Sequence, residues 1–570
     1  MRAKANWTRL LLLCLLLVVV GLFFRFVDLP AIARPVFTQP VQQPDWRFGV
    51  VESYEDPAAA TDLGVAWTRV RFHWAYVQAE GPGTWTPRIS EERINDELAA
   101  ARTVVGILIG IPDWARGPDR LPAGLWLPPD DPENTWANYV REAVGRYNGR
   151  INHWVIWNEP DIPDPTTPGH TWDGTITDFI QLQRVAYLVA KETNPDAVIH
   201  LAAFTHFWDP GYFDRFLAEL VTDPAAANNN YYFDVATAHL YFQPNAIYNL
   251  IQAFYGAMAN HGLWKPIWLM ETNAPPLDDP TWPVPDWTLS VTLDEQAAFM
   301  PQALALALAA GAERIAIYKL KDTADDRAAN PEPFGLLRAD GSRRPAYHTY
   351  RVAIQHMSGV TAVYRERWNE VGQIRLDQTG QSTTVLFARL PAPQVAEVTA
   401  TARTAQLVDM WGTSRRLTAA DGLFRVELPP ALCTQPIGDY CMIGGSTYYL
   451  VQDRPEAAAA VEDSAPVLPT PYPTVDQTAV AAVFPPTPVP TSIATQTITP
   501  SPSPAATVLP AATVTGEPTA TGSAPHPILT DAPETAVAPS AASGWPSSYW
   551  LFSLAVLLGI GLFIVYRQAR

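Results

Sequence analysis

The stretch "HWVIWNEPDIP", residues 153–163, runs an apolar and aromatic segment straight into Asn158, Glu159 and Pro160. A second apolar segment, "PIWLMET" at 266–272, carries Glu271 at its end. A buried strand has no use for an unpaired terminal carboxylate, because desolvating a lone charge is costly. Two such strand ends facing each other would set two carboxyl groups across a gap. One can then protonate a leaving oxygen while the other, ionised, attacks or stabilises an electron-poor carbon. Their mutual repulsion raises one pKa and separates the roles. Cleavage of a glycosidic bond requires this pairing. Alone, Glu159 ahead of Pro160 reads as an acid at a helix start, and Glu271 as an ordinary strand-end carboxylate.

Further polar residues interrupt apolar runs. His239 and Tyr241 lie in "FDVATAHLY", with the same strand parity and so on one side of it. Arg69 and Arg71 lie in "AWTRVRF". Asp113 and Trp114 follow "VVGILIGI", Glu52 ends "FGVVE", and Tyr318, Lys319, Lys321 and Asp322 cluster around the end of "RIAIYKL". Arg71 reads as part of a structural ion-pair ladder. Asp113, Asp322 and Glu52 read as structural or subsite polar groups rather than catalysts. Trp74, Trp114, Trp157 and Trp208 could stack on sugar faces, although each taken singly suits core packing.

Eight β-prone segments, at 48–52, 66–72, 104–111, 153–159, 198–204, 233–241, 266–272 and 314–320, alternate with helical patterns such as "SEERINDELAAA" and "LDEQAAFMPQALALALAAG". This alternation predicts a (β/α)₈ TIM barrel over residues 46–358. Near-continuous apolar strands fit a parallel sheet covered on both faces. In such barrels the chemistry sits at the carboxyl ends of the strands, where Glu159 and Glu271 fall. They end the fourth and seventh strands, which lie nearly across the mouth from each other. Residues 361–455 contain short β-prone runs broken by Gly, Asp-Gly and Pro, which predicts a small β-sandwich accessory domain.

These residues resemble a family. "WNEP" after strand 4, His-x-Tyr on strand 6, "ET" after strand 7 and the arginine in "WTRVRFHW" look like clan A retaining glycoside hydrolases, with the cellulase-like family 5 and β-xylosidase-like family 39 branches nearest. "GILIGIPDWARG" and "FGLLRADGSRRPAYHTY" resemble the strand 3 and closing segments of those enzymes. The resemblance implies Glu159 as acid/base and Glu271 as nucleophile. It implies that Asn158 hydrogen-bonds the sugar 2-hydroxyl, that Tyr241 donates to Glu271 and that Arg69 keeps that carboxylate ionised. His239 would line the same wall, with Tyr318 and Trp114 contacting substrate. Many relatives place a tryptophan on strand 8, where this chain has Tyr318 followed by Lys319; that departure bears on the sugar rather than on the reaction.

With 570 residues the chain is too long for one ordinary core. Its 57 acidic and 39 basic residues give a formal net charge of −18, which argues against a nucleic-acid groove. The mean charge also disfavours a strongly anionic substrate, unless a local basic cleft overrides it. No Cys/His cluster has zinc spacing, and no GxGxxG, P-loop, GxSxG or zinc-helix motif is present, so no metal or organic cofactor is expected. Cys433 and Cys441 are close enough in sequence to pair outside the cytoplasm.

Both ends suggest a membrane. Arg2, Lys4 and Arg9 precede an apolar run from Leu10 to Phe24 and "AIA" at 31–33, so residues 1–33 read as a signal peptide or an uncleaved N-terminal anchor. Residues 549–566 form an apolar stretch able to cross a bilayer, with Arg567 and Arg570 on the cytoplasmic side. Residues 456–545, rich in Pro, Thr, Ala and Ser, read as a disordered stalk. The expectation is a membrane-tethered, extracytoplasmic retaining glycoside hydrolase acting on an oligo- or polysaccharide. Two alternatives stay open: a non-catalytic carbohydrate-binding surface protein on a degenerate barrel, and a transglycosylase.

Overall fold

The computed structural model describes residues 44–454, apart from 168, 285–288, 290 and 327–331, together with residues 475–483. The N-terminal segment 1–33, the candidate span 549–566 and most of the expected stalk lie outside the described residues. Among the described residues, no helix is long and apolar enough to cross a membrane.

Eight parallel strands close into a barrel in sequence order: β1 (Phe48–Val50), β2 (Trp67–His73), β3 (Thr103–Ile109), β4 (His153–Asn158), β5 (Val198–Phe204), β6 (Val235–His239), β7 (Ile267–Thr272) and β8 (Ala312–Ile317). The helices between them start where their sequences allow. Ser90 and Asn134 cap the helices Glu91–Ala99 and Thr135–Arg146 through side-chain oxygens. Thr175 with Asp178, and Thr292 with Glu295, form reciprocal capping boxes. One apolar cluster fills the space between strands and helices. A smaller one, with Trp67, Val105, Ile107, Val155, Trp268 and Met270, fills the barrel interior. Strand alternation therefore sorts side chains to the interior or to the helix layer.

The second domain is a six-stranded antiparallel sheet in the order Ser414–Thr418, Thr404–Asp409, Tyr448–Asp453, Gln381–Ala388, Val371–Gln378, Val360–Trp368, with a separate pair Gln394–Thr399 and Leu423–Leu428. Both sheet faces are buried, against different partners. Ile374, Leu376, Val385, Phe387 and Tyr449 join the barrel's core cluster. Val371, Leu386, Ala388 and Leu450 pack with Val398, Phe424, Val426 and Leu428 of the two-stranded ribbon. The expected sandwich is thus lopsided, six strands against two. Gln302 of the barrel helix Leu293–Ala309 ties the junction by donating to the Gly445 carbonyl at 3.0 Å and accepting from the Gly444 N–H at 2.9 Å. Cys433 and Cys441 are disulfide-bonded.

Residues 475–483 correct the expectation of an unbroken structureless stalk. Gln477–Val483 is helical and packs on the barrel helix Pro244–Asn260. Val480 approaches Gly256, and Ala479 is buried. The Asp476 carboxylate accepts from Tyr248 at 3.1 Å and Arg365 at 3.0 Å, while its N–H donates to Gln252 at 2.6 Å. A short apolar "VAAV" inside a Pro/Thr-rich tract gives too little periodicity to signal a helix from sequence; the docking surface supplies what the segment lacks.

Candidate active site

Alternation alone does not aim both glutamates inward. Met270 faces the barrel interior, so Glu271, the next residue, should face the helices. Register irregularities on both sides of β7, at Ala238/His239 and at Leu269/Thr272, break the alternation there and set Glu271 opposite His239. A bulge of this kind re-aims a side chain. At the end of β4, Trp157 (φ 75°) and Glu159 (φ 45°) take left-handed conformations that non-glycine residues seldom adopt. Each costs about 1–3 kcal/mol, which the buried surroundings must offset. Trp157 turns to pack edge-on against Trp136 and Trp172, while the Glu159 N–H donates to the Ala203 carbonyl at 3.1 Å.

The result is a compact cluster. Oxygen atoms of Glu159 and Glu271 and a ring nitrogen of His239 all lie within 4.8 Å of one another. His239 Nδ1 is 2.7 Å from Glu159 Oε1 and 3.5 Å from Glu271 Oε2, and His239 Nε2 is 3.3 Å from Arg69 Nη1. A guanidinium has no acceptor, so Nε2 must accept and the single ring proton sits on Nδ1, shared toward the two carboxylates. Arg69 donates to Glu271 Oε1, and the Tyr241 hydroxyl donates to Glu271 Oε2. Arg69, His239 and Glu271 are almost fully buried, whereas the Glu159 side chain keeps 17% exposure. Burial pushes the Glu271 carboxyl up, but the Arg69 charge foremost, with the hydrogen bond from Tyr241, outweighs it and holds it well below the usual carboxylate range. Burial and the Glu271 charge push the Tyr241 hydroxyl up, so it stays a donor.

The other expected residues divide. Asn158 is buried, and its side-chain oxygen has no hydrogen-bond partner among the described residues, leaving an unspent acceptor beside Glu159. The Tyr318 ring packs edge-on with Tyr241 and Phe334, and burial with the Glu271 and Glu52 charges pushes its hydroxyl up to about 12. Trp114 stands apart: it is 37% exposed and spends its N–H on the Gln78 carbonyl. Trp74 and Trp157 are core residues, and Trp208 is exposed. Glu52 and Asp322 are structural: Lys319 bonds Glu52 at 2.7 Å, and Arg344 bonds Asp322 at 2.5 Å. Arg71 departs from expectation, since it pairs with no carboxylate among the described residues and is exposed at the barrel mouth.

Sequence inspection passed over Asp161. Buried two residues beyond Glu159, it accepts from the Thr205 N–H (2.8 Å), the Thr205 hydroxyl (2.9 Å) and the His206 N–H (3.0 Å). It thereby ties the loop after β4 to the end of β5. Burial dominates and pushes its carboxyl up to about 6. The acid in "NEPD" was visible, but nothing in its spacing revealed burial.

Two cavities open near the pair and share His73 as a wall. One of 570 Å³ is lined by Trp157, Thr171, Trp172 and Pro112 among others; the second, of 650 Å³, by Tyr318, Lys319, Glu52 and Arg71 among others. Neither is lined by the glutamates themselves. Trp157 and Tyr318, the neighbours of Asn158–Glu159 and of Glu271 respectively, connect them to the pair.

No family model matches the chain, and no curated protein matches it. Among solved structures, it is similar to a family 39 glycoside hydrolase from the gut symbiont Bacteroides cellulosilyticus WH2, with 16% identity and a TM-score of 0.53 over 72% of this chain and 81% of that one. It is also similar to a glucosidase from Croceicoccus marinus, with 10% identity and a TM-score of 0.50 over 73% of this chain and 98% of that one. At such identities the likeness is one of fold, extending over 72–73% of this chain.

Proposed function

We propose that the chain is a retaining glycoside hydrolase, held at a membrane with its barrel on the extracytoplasmic side. The observation that carries this reading is the pair Glu159 and Glu271, with oxygens within 4.8 Å of each other at the carboxyl ends of two barrel strands. Retaining enzymes keep their carboxyl groups ~5–5.5 Å apart, whereas inverting ones need ~6.5–9.5 Å to admit a water. The fold shared with a family 39 glycoside hydrolase and a glucosidase supports the same class.

Glu271, ionised by Arg69, attacks the anomeric carbon as the glycosidic C–O bond breaks. Glu159 gives its proton to the departing oxygen. His239 engages Glu159 Oε1 and leaves Oε2 for that transfer. A glycosyl ester on Glu271 results. Glu159, now a carboxylate, takes a proton from water, which attacks the same carbon and returns Glu271 as the leaving carboxylate. Asn158's unspent acceptor suits the sugar 2-hydroxyl. Residues 549–566 would tether the chain, with the proline-rich tract as spacer.

The test is to incubate the protein with a panel of aryl glycosides and follow the product anomer by NMR. A first product of retained configuration supports the reading; an inverted product, or no turnover of any glycoside, overturns it.

A further inference from the structure

Several arginines, Arg314 and Arg389 among them, pair with no carboxylate among the described residues. The 650 Å³ cavity beside Tyr318 has two, Arg71 and Arg88, while its other cations are matched. Lys319 is held by Glu52 at 2.7 Å and Asp326 at 2.8 Å, and Arg93 by Glu55 at 3.1 Å. The remaining acid of the wall, Asp325, is exposed. Neither Arg71 nor Arg88 makes an ion pair among the described residues. Arg71 follows Arg69 by two positions on β2, so both point to the barrel interior: Arg69 is spent on Glu271, and Arg71 faces the cavity. Arg88 is placed by stacking. It lies 5.3 Å over the Tyr76 ring, which sits 4.4 Å from the His73 ring.

We propose that Arg71 and Arg88 form an anion-recognition subsite in this cavity, taking a saccharide that carries a carboxylate or sulfate substituent. The inference rests on the glycosidase reading for its placement beside the reacting bond, but the recognition itself does not require turnover. Two guanidiniums offer planar donor forks that match carboxylate and sulfate oxygens. Both guanidiniums reach His73 on the same wall: burial first, and then the Arg71 and Arg88 charges, push its imidazole down to about 4. The cavity's own acids are engaged or exposed, so an incoming anion meets the free arginines rather than a matched surface. The overall acidity of the chain does not oppose this, because the local groups dominate within the screening length of about 8–10 Å.

The full chain carrying Glu159→Gln is titrated calorimetrically with neutral, uronate-containing and sulfated oligosaccharides of matched length. Binding of the uronate or the sulfated set about ten- to a hundredfold tighter than the neutral set, weakening with salt, is expected. Whichever set binds identifies the anion. Arg71→Gln or Arg88→Gln, added to that chain, should reduce the acidic-to-neutral affinity ratio by about tenfold, with partial recovery in Arg71→Lys. Equal affinity for all three sets, or a ratio unchanged in both glutamine variants, overturns the proposal. In parallel, wild-type protein is assayed on neutral and uronate aryl glycosides. Turnover with no acidic preference in binding sinks this inference and leaves the glycosidase reading standing; acidic binding with no turnover does the reverse.

Discussion

His239 Nε2 faces Arg69 Nη1 at 3.3 Å, and because a guanidinium can only donate, this one contact makes Nε2 the accepting nitrogen. The ring's only proton then points at Glu159 Oε1, 2.7 Å away, with Glu271 Oε2 at 3.5 Å. The guanidinium that holds Glu271 ionised therefore also sets the tautomer that His239 presents to Glu159. His239→Ala should lower kcat/KM by about ten- to a hundredfold, the worth of one hydrogen bond to a charged group, with the secondary structure by circular dichroism unchanged. Full activity would show that the bond positions nothing.

The two glutamates should fail differently. Glu271→Ala should remove turnover of every glycoside. Glu159→Gln should slow substrates with poor leaving groups by about 10²–10⁴-fold and spare activated aryl glycosides in the first step, because a good leaving group needs no proton. Comparing 4-nitrophenyl and alkyl glycosides in a burst assay separates the cases; equal losses on both would contradict the assigned roles.

Arg69→Gln should both destabilise the barrel and shift its pH response. Removing one partner of a buried ion pair costs about 3–5 kcal/mol, measurable by urea unfolding. In the wild type the folded Glu271 carboxyl lies below its unfolded value of about 4.3. Its contribution to stability is therefore present above that pH and lost as pH falls through the depressed folded value. Without Arg69 the depression shrinks, so the acid limb of kcat/KM should move toward neutral pH. An acid limb that stays put would dissociate Arg69 from the ionisation of Glu271.

The Cys433–Cys441 bond closes a short loop in the sheet domain. Its removal by Cys433→Ser with Cys441→Ser should cost ~2.5 kcal/mol by the chain-entropy relation, read as a lower thermal midpoint, with kcat/KM at moderate temperature retained. A variant as stable as the wild type would assign the bond no role in stability.

Asp476→Ala should release residues 475–483 from the barrel, since it removes the acceptor for Tyr248 and Arg365. Hydrogen exchange in 477–483 should rise to the rate of free chain while β4 and β7 stay protected. Unchanged protection would mean that the Val480 and Ala479 contacts hold the helix alone.

The sequence by itself determined the barrel and the candidate pair. Continuous apolar strands such as 198–204 and 267–272 can be buried on both faces only in a covered parallel sheet, and their polar ends must then lie at the mouth. His239 and Tyr241 were legible because their parity is that of Val235, which faces the interior. Tertiary structure alone decided the rest. Glu271 has the wrong parity for the interior, and only the register irregularities of β7 against its neighbours turn it inward. The left-handed turn at Trp157 and Glu159 depends on packing against Trp136 and Trp172, residues remote in the chain. Arg71 and Arg69 look alike in "TRVRF"; which is paired and which is free follows from where Glu271 arrives. The helix 477–483 exists by virtue of the groove it meets. Local spacing encodes which face a strand can bury, whereas partnership between distant charges is settled by which strands become neighbours and in what register.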